Sequence, residues 1–410
     1  MQKKHHEVND SGARKLLMVA DVAYPFVKGG AQRRQFEVGR RLVKLGWEVH
    51  LLSYQSWQGG QNRNEYGIKY IGLGFPPPIY NRKGKRSKTQ PIHFFFAILK
   101  NLWRIRHYDV IWASQWPMSH ILPITLMCQY RGIPLVIDYF EVWDNLWFKY
   151  SKSVGWIGLL LEKLLLRYTT RHAELVTDSR LEEKRIRRVS GKKDTIHYLP
   201  HGIPKEEIGE LPEASSWRYE IGCLGRLKNH KGVDLLLKSV ASLRDRHRWK
   251  ISLAIIGDGP EKLNLIALSE SLGISDQVTF FGLIPDNQEV YNIMKKCRLC
   301  VVPTIGGGAG NVTLNEAYGC GLPVLGFQTP DGMDPELIDH GETGLWINPV
   351  TPEALSDGLF SILSDEKILA EMRSAVIKKS QEFDWDSIAQ GYDRIIMEIN
   401  QNKKDNFHKS

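Results

Sequence analysis

A glycine-rich segment in the second half of the chain has the residue types and order of a phosphate-binding element. The segment opens at residue 301 with an apolar run that predicts a buried strand, and it continues with Gly306, Gly307, Gly308 and Gly310. Residues 312–318 then show helical spacing and contain one acidic residue, Glu316. A strand, a glycine loop and a helix start direct backbone N–H groups and the helix dipole at phosphate. The segment therefore predicts a site for a phosphorylated ligand.

A second element of this kind lies upstream, in the sequence GRLKNHKG at residues 225–232. It follows an apolar run at 219–224 and contains Arg226 and Lys231. An Arg offers a planar fork and a Lys a point charge, and both suit phosphate. The alternative is that these are two solvated basic residues at the end of a strand. Two predicted phosphate-binding elements in one half of the chain favour a diphosphate ligand.

Together with GDGP at residues 257–260, these motifs resemble the C-terminal domain of family 4 retaining glycosyltransferases. Gly225, Arg226, Lys231 and Gly232 reproduce the family pattern G-R-x4-K-G. The resemblance implies an α/β protein with the GT-B fold, in which two Rossmann-like domains face each other across a cleft. It also implies a nucleotide-diphosphate sugar as donor, with Arg226 and Lys231 as catalytic residues that stabilise the charge on the leaving diphosphate.

The run from Glu316 to Val324 matches the family pattern in which a glutamate binds the ribose hydroxyls of the donor. The family has a second glutamate eight positions earlier, where it contacts the sugar, whereas this chain has Gly308. The identity of the sugar is therefore open. The resemblance implies the following donor-binding residues: Gly29, Gly30, Gly308, Ala309, Gly310, Asn311, Val312, Thr313 and Glu316.

The first half of the chain contributes a glycine pair and an acidic loop. Gly29 and Gly30 follow the first predicted strand, where the family places the loop under the donor phosphate. The run PLVIDYFEVWDN at 134–145 resembles a family variant with D-x-x-D-x-W after the fourth strand, and Glu141 takes the place of the second acid. Glu141 is therefore a candidate catalytic residue. The alternative is a charged loop without a role in catalysis.

Hydrophobic periodicity indicates two parallel-sheet domains in series. A strand at 15–21, a helix at 32–45 and a strand at 48–54 form a β-loop-α-β unit, and strands alternate with helical segments from there on. We expect an acceptor-binding domain at residues 1–203, a linker at 204–217 and a nucleotide-sugar-binding domain at 218–383. The resemblance implies that a final helix, at 384–402, crosses back to the first domain.

No metal or cofactor is expected, because the nucleotide-sugar is a substrate. Asp384 and Asp386 form a D-x-D motif that holds manganese in glycosyltransferases of another fold, but their place at a helix start favours helix capping. The five cysteines are an odd number in mostly apolar settings, which favours a reduced, cytoplasmic protein.

The net charge of +9 is unevenly distributed. Residues 1–204 carry 33 Lys and Arg against 16 Asp and Glu, or +17, so the remainder carries 22 against 30, or −8. Residues 82–107 mix cations with aromatic residues, which is typical of a basic amphipathic helix on a membrane surface. No apolar run reaches the length of a membrane span. We expect peripheral attachment to the cytosolic face of an anionic membrane through residues 82–106, with Phe94, Phe95 and Trp103 in the interface; core packing of these aromatic residues is the alternative.

The function expected from these observations is retaining, metal-independent transfer of a hexose. The donor is a nucleotide-diphosphate sugar, and the acceptor is a lipid-linked glycan or another membrane-associated glycoconjugate. Two alternatives stay open. The missing glutamate at Gly308 is compatible with a non-catalytic subunit that supports a partner glycosyltransferase. The basic first half is compatible with nucleic-acid binding, although the chain has no recognised nucleic-acid module and we expect no such partner.

Overall fold

The computed structural model describes residues 14–78, 87, 89–144, 147–148, 152–153, 155–191, 196–209, 217–306, 311–330 and 332–408. The chain divides into two compact units. Unit 1 comprises Met1–Asp178, Glu182–Leu199 and Ile388–Ser410, and unit 2 comprises Ser179–Leu181 and Pro200–Ser387. Each unit is built on one sheet and is described separately.

Unit 1 contains an eight-stranded sheet. Its strands are β1 (Arg14–Val19), β2 (Trp47–Ser53), β3 (Asn62–Glu65), β4 (Ile68–Gly72), β5 (Val110–Ser114), β6 (Leu135–Asp138), β7 (Glu174–Thr177) and β8 (Ile196–Tyr198). The sheet order is β3-β4-β2-β1-β5-β6-β7-β8. All neighbouring strands are parallel except β3 and β4, which are antiparallel. The helices are α1 (Gly30–Lys44), α2 (Gln90–Ile105), α3 (Ile121–Arg131), α4 (Gly155–His172) and α5 (Arg180–Ser190).

Unit 2 contains a six-stranded, fully parallel sheet of order β11-β10-β9-β12-β13-β14. The strands are β9 (Tyr219–Leu224), β10 (Leu253–Ile256), β11 (Val278–Gly282), β12 (Cys297–Val302), β13 (Val324–Phe327) and β14 (Gly344–Ile347). The helices are α6 (Lys205–Ile208), α7 (Val233–His247), α8 (Lys262–Ser271), α9 (Asn287–Lys295), α10 (Asn311–Gly319), α11 (Pro352–Leu363) and α12 (Glu366–Lys379). The predicted linker thus includes α6, and residues 210–216 lie outside the described part.

Both faces of the unit 2 sheet are covered, which explains the continuous apolar runs in its strands. Successive side chains of a strand point to opposite faces. In β10, Leu253 and Ile255 accordingly belong to one buried cluster, and Ala254 and Ile256 belong to the other. The runs that predicted parallel strands form them, and the predicted Rossmann-like architecture is confirmed.

The hairpin of β3 and β4 was not predicted from the sequence. The strand β3 has the sequence NRNE and is mostly exposed, so it has no apolar pattern. The turn to β4 is formed by Tyr66 and Gly67, with φ of 52° and 81°. Positive φ at both central residues is the requirement of a tight hairpin turn, and the glycine is the only sequence signal for it.

The last helix, α13 (Trp385–His408), belongs to unit 1 from Ile388 onward. It is attached there by a buried polar cluster. The Arg34 Nε donates to the Tyr392 hydroxyl over 2.8 Å, and an Arg34 Nη donates to the Leu199 carbonyl over 2.7 Å. The Tyr392 hydroxyl donates to Asp138, whose carboxylate lies 3.5 Å from the Arg34 Nε. Arg34, Asp138 and Tyr392 are all fully buried, so this cluster joins α1, the end of β6 and α13.

Candidate functional site

The strand order of unit 2 reverses between β9 and β12. From β9 the chain adds β10 and β11 on one side of the sheet, and β12, β13 and β14 then follow on the other side. Loops at the carboxyl ends of the two strands flanking such a reversal diverge and leave a crevice. The two predicted phosphate-binding elements are these loops, because residues 225–232 follow β9 and the glycine-rich segment follows β12.

The loop after β9 packs so closely on its neighbours that glycine is required. A Cβ on Gly232, which has φ of 65°, would lie 2.1 Å from the Pro303 carbonyl oxygen at the end of β12. A Cβ on Gly257 would lie 1.9 Å from the Gly225 oxygen, and one on Gly259 would lie 2.2 Å from the Leu227 oxygen. The glycines of GDGP therefore let the loop after β10 support the loop after β9.

Arg226 and Lys231 are carried by this supported loop. Arg226 is exposed and Lys231 is partly buried. Neither side chain forms an ion pair or a hydrogen bond with any residue in the described ranges. Burial, followed by the proximity of Arg226, holds the pKa of Lys231 below its usual value. Two cations held together without a counter-ion favour the binding of an anion at this edge of the sheet.

The segment after β12 is partly outside the described residues. Gly308, Ala309 and Gly310 fall in this gap, so their predicted contacts with the donor stay predictions. Asn311 begins α10, and Val312 and Thr313 lie in its first turn. The N-terminal end of α10 thus comes after the loop that follows β12, and the free N–H groups of a helix start attract an anion.

Glu316 lies on α10 and is partly buried. The Tyr291 hydroxyl donates a hydrogen bond to Glu316 Oε1 over 2.8 Å, which fixes the orientation of the carboxylate. The neighbours Ala317 and Tyr318 are fully buried, and the Tyr318 hydroxyl donates to the Leu337 carbonyl over 2.8 Å. Tyr291 was missed by sequence reasoning, because no local pattern connects α9 with α10.

In unit 1 the strand order reverses between β1 and β5. Gly29 and Gly30 follow β1, with Gly29 as the residue before α1 and Gly30 as its first residue. Gly29 has an extended backbone, with φ of −177°, so it is not needed for its backbone conformation. The pair lies at the carboxyl edge of the sheet, where its predicted contact with the donor phosphate stays a prediction.

The acidic loop after β6 divides into residues with different surroundings. Asp138 is fully buried against Arg34 and Tyr392, and burial raises its pKa to about 6. It therefore holds the fold and cannot contact a ligand in this state. Glu141 is only partly buried and accepts a hydrogen bond from the Trp143 Nε1 over 3.0 Å. Burial raises the pKa of Glu141 as well.

Three buried or partly buried side chains fix the backbone of this loop. Gln115 accepts hydrogen bonds from the N–H groups of Phe140 and Glu141 and donates to the Glu141 carbonyl. Glu162 accepts from the N–H groups of Trp143 and Asp144 and from the Trp147 Nε1, at 2.9 to 3.0 Å. Glu182 accepts from the Val142 N–H over 2.8 Å. None of the three had been singled out in the sequence, because each lies on a different element from the loop.

The D-x-D motif has the capping geometry at its first acid. The Asp384 carboxylate accepts a hydrogen bond from the Ser387 N–H over 3.3 Å at the start of α13. The described residues include no group of three or more His, Cys, Asp or Glu side chains placed to hold a metal ion. Cys297 and Cys300, the C-x-x-C pair, are buried in β12, where burial raises the pKa of Cys297 to about 12.

Three neighbouring helices of unit 1 expose apolar side chains at helical spacing. Helix α3 contacts both α2 and α4. The exposed apolar residues are Ile92, Phe96, Leu99 and Trp103 on α2, Leu122, Leu126 and Tyr130 on α3, and Trp156, Ile157, Leu160, Leu161 and Leu164 on α4. We call this set the three-helix face. Its helices contain one acidic residue, Glu162, which is buried, whereas Lys100, Arg131 and Arg167 are exposed.

The expectation that Phe94 lies in a membrane interface is wrong. Phe94 is fully buried, and its ring lies 5.4 Å from Tyr54 and 4.9 Å from His120. Phe95 is partly buried and Trp103 is 55% exposed. The difference follows from the helical period, because positions 94, 98 and 105 face the core while 92, 96, 99 and 103 face outward. Residues 82–86 and 88 of the predicted basic segment lie outside the described part. No helix among the described residues combines the length and the apolar character needed to span a membrane.

Comparison with known families matches both halves of the chain. Residues 207–383 match the model of "Glycosyl transferases group 1", and residues 29–202 match that of the "Glycosyl transferase 4-like domain". An uncharacterized glycosyltransferase of Methanocaldococcus jannaschii is 30% identical over 370 residues, which cover 80% of this chain and 89% of that protein.

Two further similarities are to a named enzyme and to a solved structure. A GDP-mannose-dependent α-(1-6)-phosphatidylinositol monomannoside mannosyltransferase of Mycolicibacterium smegmatis is 28% identical over 238 residues, which are 54% of this chain and 62% of that protein. The crystal structure of Anabaena HepE with UDP and glucose superimposes with a TM-score of 0.70 at 17% identity, covering 94% of this chain and 99% of HepE. The latter similarity confirms the predicted GT-B fold.

Proposed function

Because this chain belongs to the family 4 glycosyltransferases of group 1, we propose that it is a retaining, metal-independent hexosyltransferase. The donor is a nucleotide-diphosphate sugar, and the acceptor is a lipid-linked glycan or another membrane-associated glycoconjugate. The observation that carries this proposal is the pair Arg226 and Lys231, which lies beside the strand reversal of unit 2 and has no counter-ion among the described residues.

The chemistry follows from where charge develops. The bond between the anomeric carbon and the diphosphate oxygen breaks, and a bond from the acceptor oxygen to the same carbon forms on the same face. The acceptor proton passes to the departing phosphate oxygen, so the protein needs no nucleophile of its own. Arg226, Lys231 and the N-terminal end of α10 stabilise the negative charge of the nucleoside diphosphate. Glu316, oriented by Tyr291, binds the ribose hydroxyls.

The named relatives support this assignment at the level of substrate class. The mycobacterial relative uses GDP-mannose and acts on a phosphatidylinositol mannoside, and HepE binds UDP and glucose. GDP-mannose and UDP both contain a nucleoside diphosphate, for which two cations and a helix start are suited.

Retention and metal independence are tested in one experiment. The protein is incubated with UDP-, GDP- and ADP-sugars and membrane lipids in excess EDTA, and the anomeric proton of the product is assigned by NMR. We expect transfer with the anomeric configuration of the donor. Complete loss of transfer that only Mn²⁺ restores, or an inverted product, would contradict the proposal. Binding of a nucleoside diphosphate without any turnover would instead favour the non-catalytic subunit that the Gly308 substitution suggests.

We propose that the protein meets its acceptor at an anionic membrane. The three-helix face contacts this membrane from the cytosolic side. Apolar side chains at helical spacing can enter the boundary between headgroups and acyl chains. Exposed cations with no exposed acid between them complement anionic headgroups, and each contributes about 1 kcal/mol near such a surface. The two effects act on neighbouring helices, since α3 contacts both α2 and α4.

Liposome flotation tests this contact. We expect the protein to float with vesicles that contain phosphatidylserine and to bind more weakly as salt is raised, because screening removes the electrostatic part. The variant Phe96→Ser/Trp103→Ser should lose most of the salt-resistant binding, whereas Leu263→Ser, which removes an 80% exposed apolar residue of unit 2, should not. Absence of flotation at low salt would refute the membrane contact, as would unchanged binding of the double variant.

A further inference from the structure

Three tryptophans lie together at the carboxyl edge of the unit 1 sheet. Trp116 follows β5, and Trp143 and Trp147 follow β6. The ring centroids of Trp116 and Trp143 are 5.0 Å apart, and those of Trp143 and Trp147 are 4.8 Å apart. All three residues are partly exposed, whereas Trp112 of β5, which serves the core, is fully buried. Part of the surface of each of these three residues is therefore accessible.

Glu141 supplies a carboxylate beside these rings. One of its oxygens, Oε2, accepts the hydrogen bond from the Trp143 Nε1. The other, Oε1, accepts no hydrogen bond from any residue in the described ranges. An oriented carboxylate with one oxygen available can accept a hydrogen bond from a hydroxyl group of a ligand.

The loop that carries these groups is fixed before any ligand binds. Gln115, Glu162 and Glu182 together hold five of its backbone N–H groups, those of Phe140, Glu141, Val142, Trp143 and Asp144. The Trp147 Nε1 also donates a hydrogen bond to Glu162, which orients the indole ring of Trp147. A site whose groups are fixed by their own supporting contacts loses less conformational entropy on binding.

Resting on the proposed transfer reaction, we infer that Trp116, Trp143, Trp147 and Glu141 form a site, which we call the indole site, for the ring of the acceptor. That ring is a cyclic polyol, such as a pyranose or an inositol. Its C–H groups form an apolar face that packs on the electron-rich indole surface, and its hydroxyls project from the edge. Glu141 accepts one of these hydroxyls and orients it.

Other ligand classes fit the indole site less well. A phosphate group would be repelled by the Glu141 carboxylate. An acyl chain would cover the indoles but would leave Oε1 of the same carboxylate desolvated without a hydrogen-bond donor, which is costly. A flexible linear polyol offers the same hydroxyls without a rigid apolar face, and more of its conformational freedom would be lost on binding.

Saturation-transfer NMR on the full chain tests the inference. The probes are methyl α-D-mannopyranoside and myo-inositol, with linear D-glucitol as the matched control. We expect saturation transfer to the ring C–H protons of at least one cyclic probe, which should bind with a Kd of about 1 to 10 mM. Glucitol should show little saturation transfer. The Trp143→Ala variant should weaken this binding about tenfold. Glu141→Gln should weaken it less, and Phe75→Ala, which removes another exposed aromatic residue at the same edge, should have no effect.

The outcomes separate this inference from the proposed function. If nucleoside diphosphates bind but neither cyclic probe does, the indole site is refuted while the donor site stands. Cyclic probes that bind equally well to Trp143→Ala also refute it. If a cyclic probe binds in a Trp143-dependent way but no nucleotide binds, the proposed transfer fails instead. Should Trp143→Ala not fold, Trp143→Phe must retain binding and Trp116→Ala must weaken it, and the opposite result overturns the inference.

Discussion

Replacing Arg226 or Lys231 with alanine is expected to weaken the binding of nucleoside diphosphates about 10- to 100-fold, since a charge-assisted hydrogen bond is worth about 1.5–3 kcal/mol. The effect on kcat/KM should be at least as large, about 10²-fold or more, because these cations also stabilise the charge that develops on the leaving group. Calorimetry measures the first quantity, and the rate of nucleoside diphosphate release measures the second.

Matched variants show whether the loss is specific to the diphosphate. Lys250→Ala removes the same charge from the opposite edge of the unit 2 sheet, before β10, and should leave nucleotide affinity unchanged. Arg226→Ala should weaken the binding of inorganic pyrophosphate as well as that of the nucleotide. Glu316→Gln should weaken the binding of the nucleotide only, because pyrophosphate has no ribose. If both Arg226→Ala and Lys231→Ala keep near-normal nucleotide affinity and turnover, the assignment of these residues to the donor site is wrong.

The largest expected effect on stability comes from Arg34→Met in unit 1. The change leaves Asp138 as a buried carboxylate without its cation, which typically costs about 3–5 kcal/mol. It also removes the hydrogen bonds from Arg34 to Tyr392 and to the Leu199 carbonyl. We expect a correspondingly lower free energy of unfolding in urea. Lys44→Met, at an exposed position on the same helix, should change it by less than about 0.5 kcal/mol.

The destabilisation by Arg34→Met should depend on pH. Burial raises the pKa of Asp138 to about 6, above its value in the unfolded chain. Asp138 therefore keeps its proton up to a higher pH in the native state than in the unfolded state. As a result, the free energy of unfolding falls as the pH rises through about 6. Without Arg34 the folded pKa rises further, so the loss of stability should be larger near pH 8 than near pH 5. A loss that is the same at both pH values would contradict the buried ion pair.

The sequence predicts the architecture because its strands are buried on both faces and its glycines are required by close backbone approach. Gly232 and Gly257 could be identified from the motifs GRLKNHKG and GDGP, and the structure shows that their positions tolerate no side chain. The hairpin of β3 and β4 could not be predicted, because a polar edge strand has no apolar pattern. The outward register of α2 was missed for a different reason, since Phe94, Phe95 and Phe96 are consecutive and composition alone does not assign them to faces.

Contacts between residues far apart in the chain were also beyond sequence reasoning. Arg34, Asp138 and Tyr392 form one buried cluster although 254 positions separate Asp138 from Tyr392. No local sequence pattern connects these three residues, and the contacts of Asp138 within the cluster stabilise the fold. The support of Glu316 by Tyr291 and of the acidic loop by Glu162 and Glu182 likewise depends on tertiary packing.

The central claim is that unit 2 binds a nucleoside diphosphate through protein cations and a helix start. Titration of UDP, GDP and ADP into the full chain in EDTA, followed by calorimetry, tests it most directly. The claim predicts that at least one of them binds in a 1:1 ratio with a Kd below about 1 mM, and that Arg226→Ala weakens this binding. If none of the three binds, or if binding appears only after a divalent metal is added, the claim is contradicted.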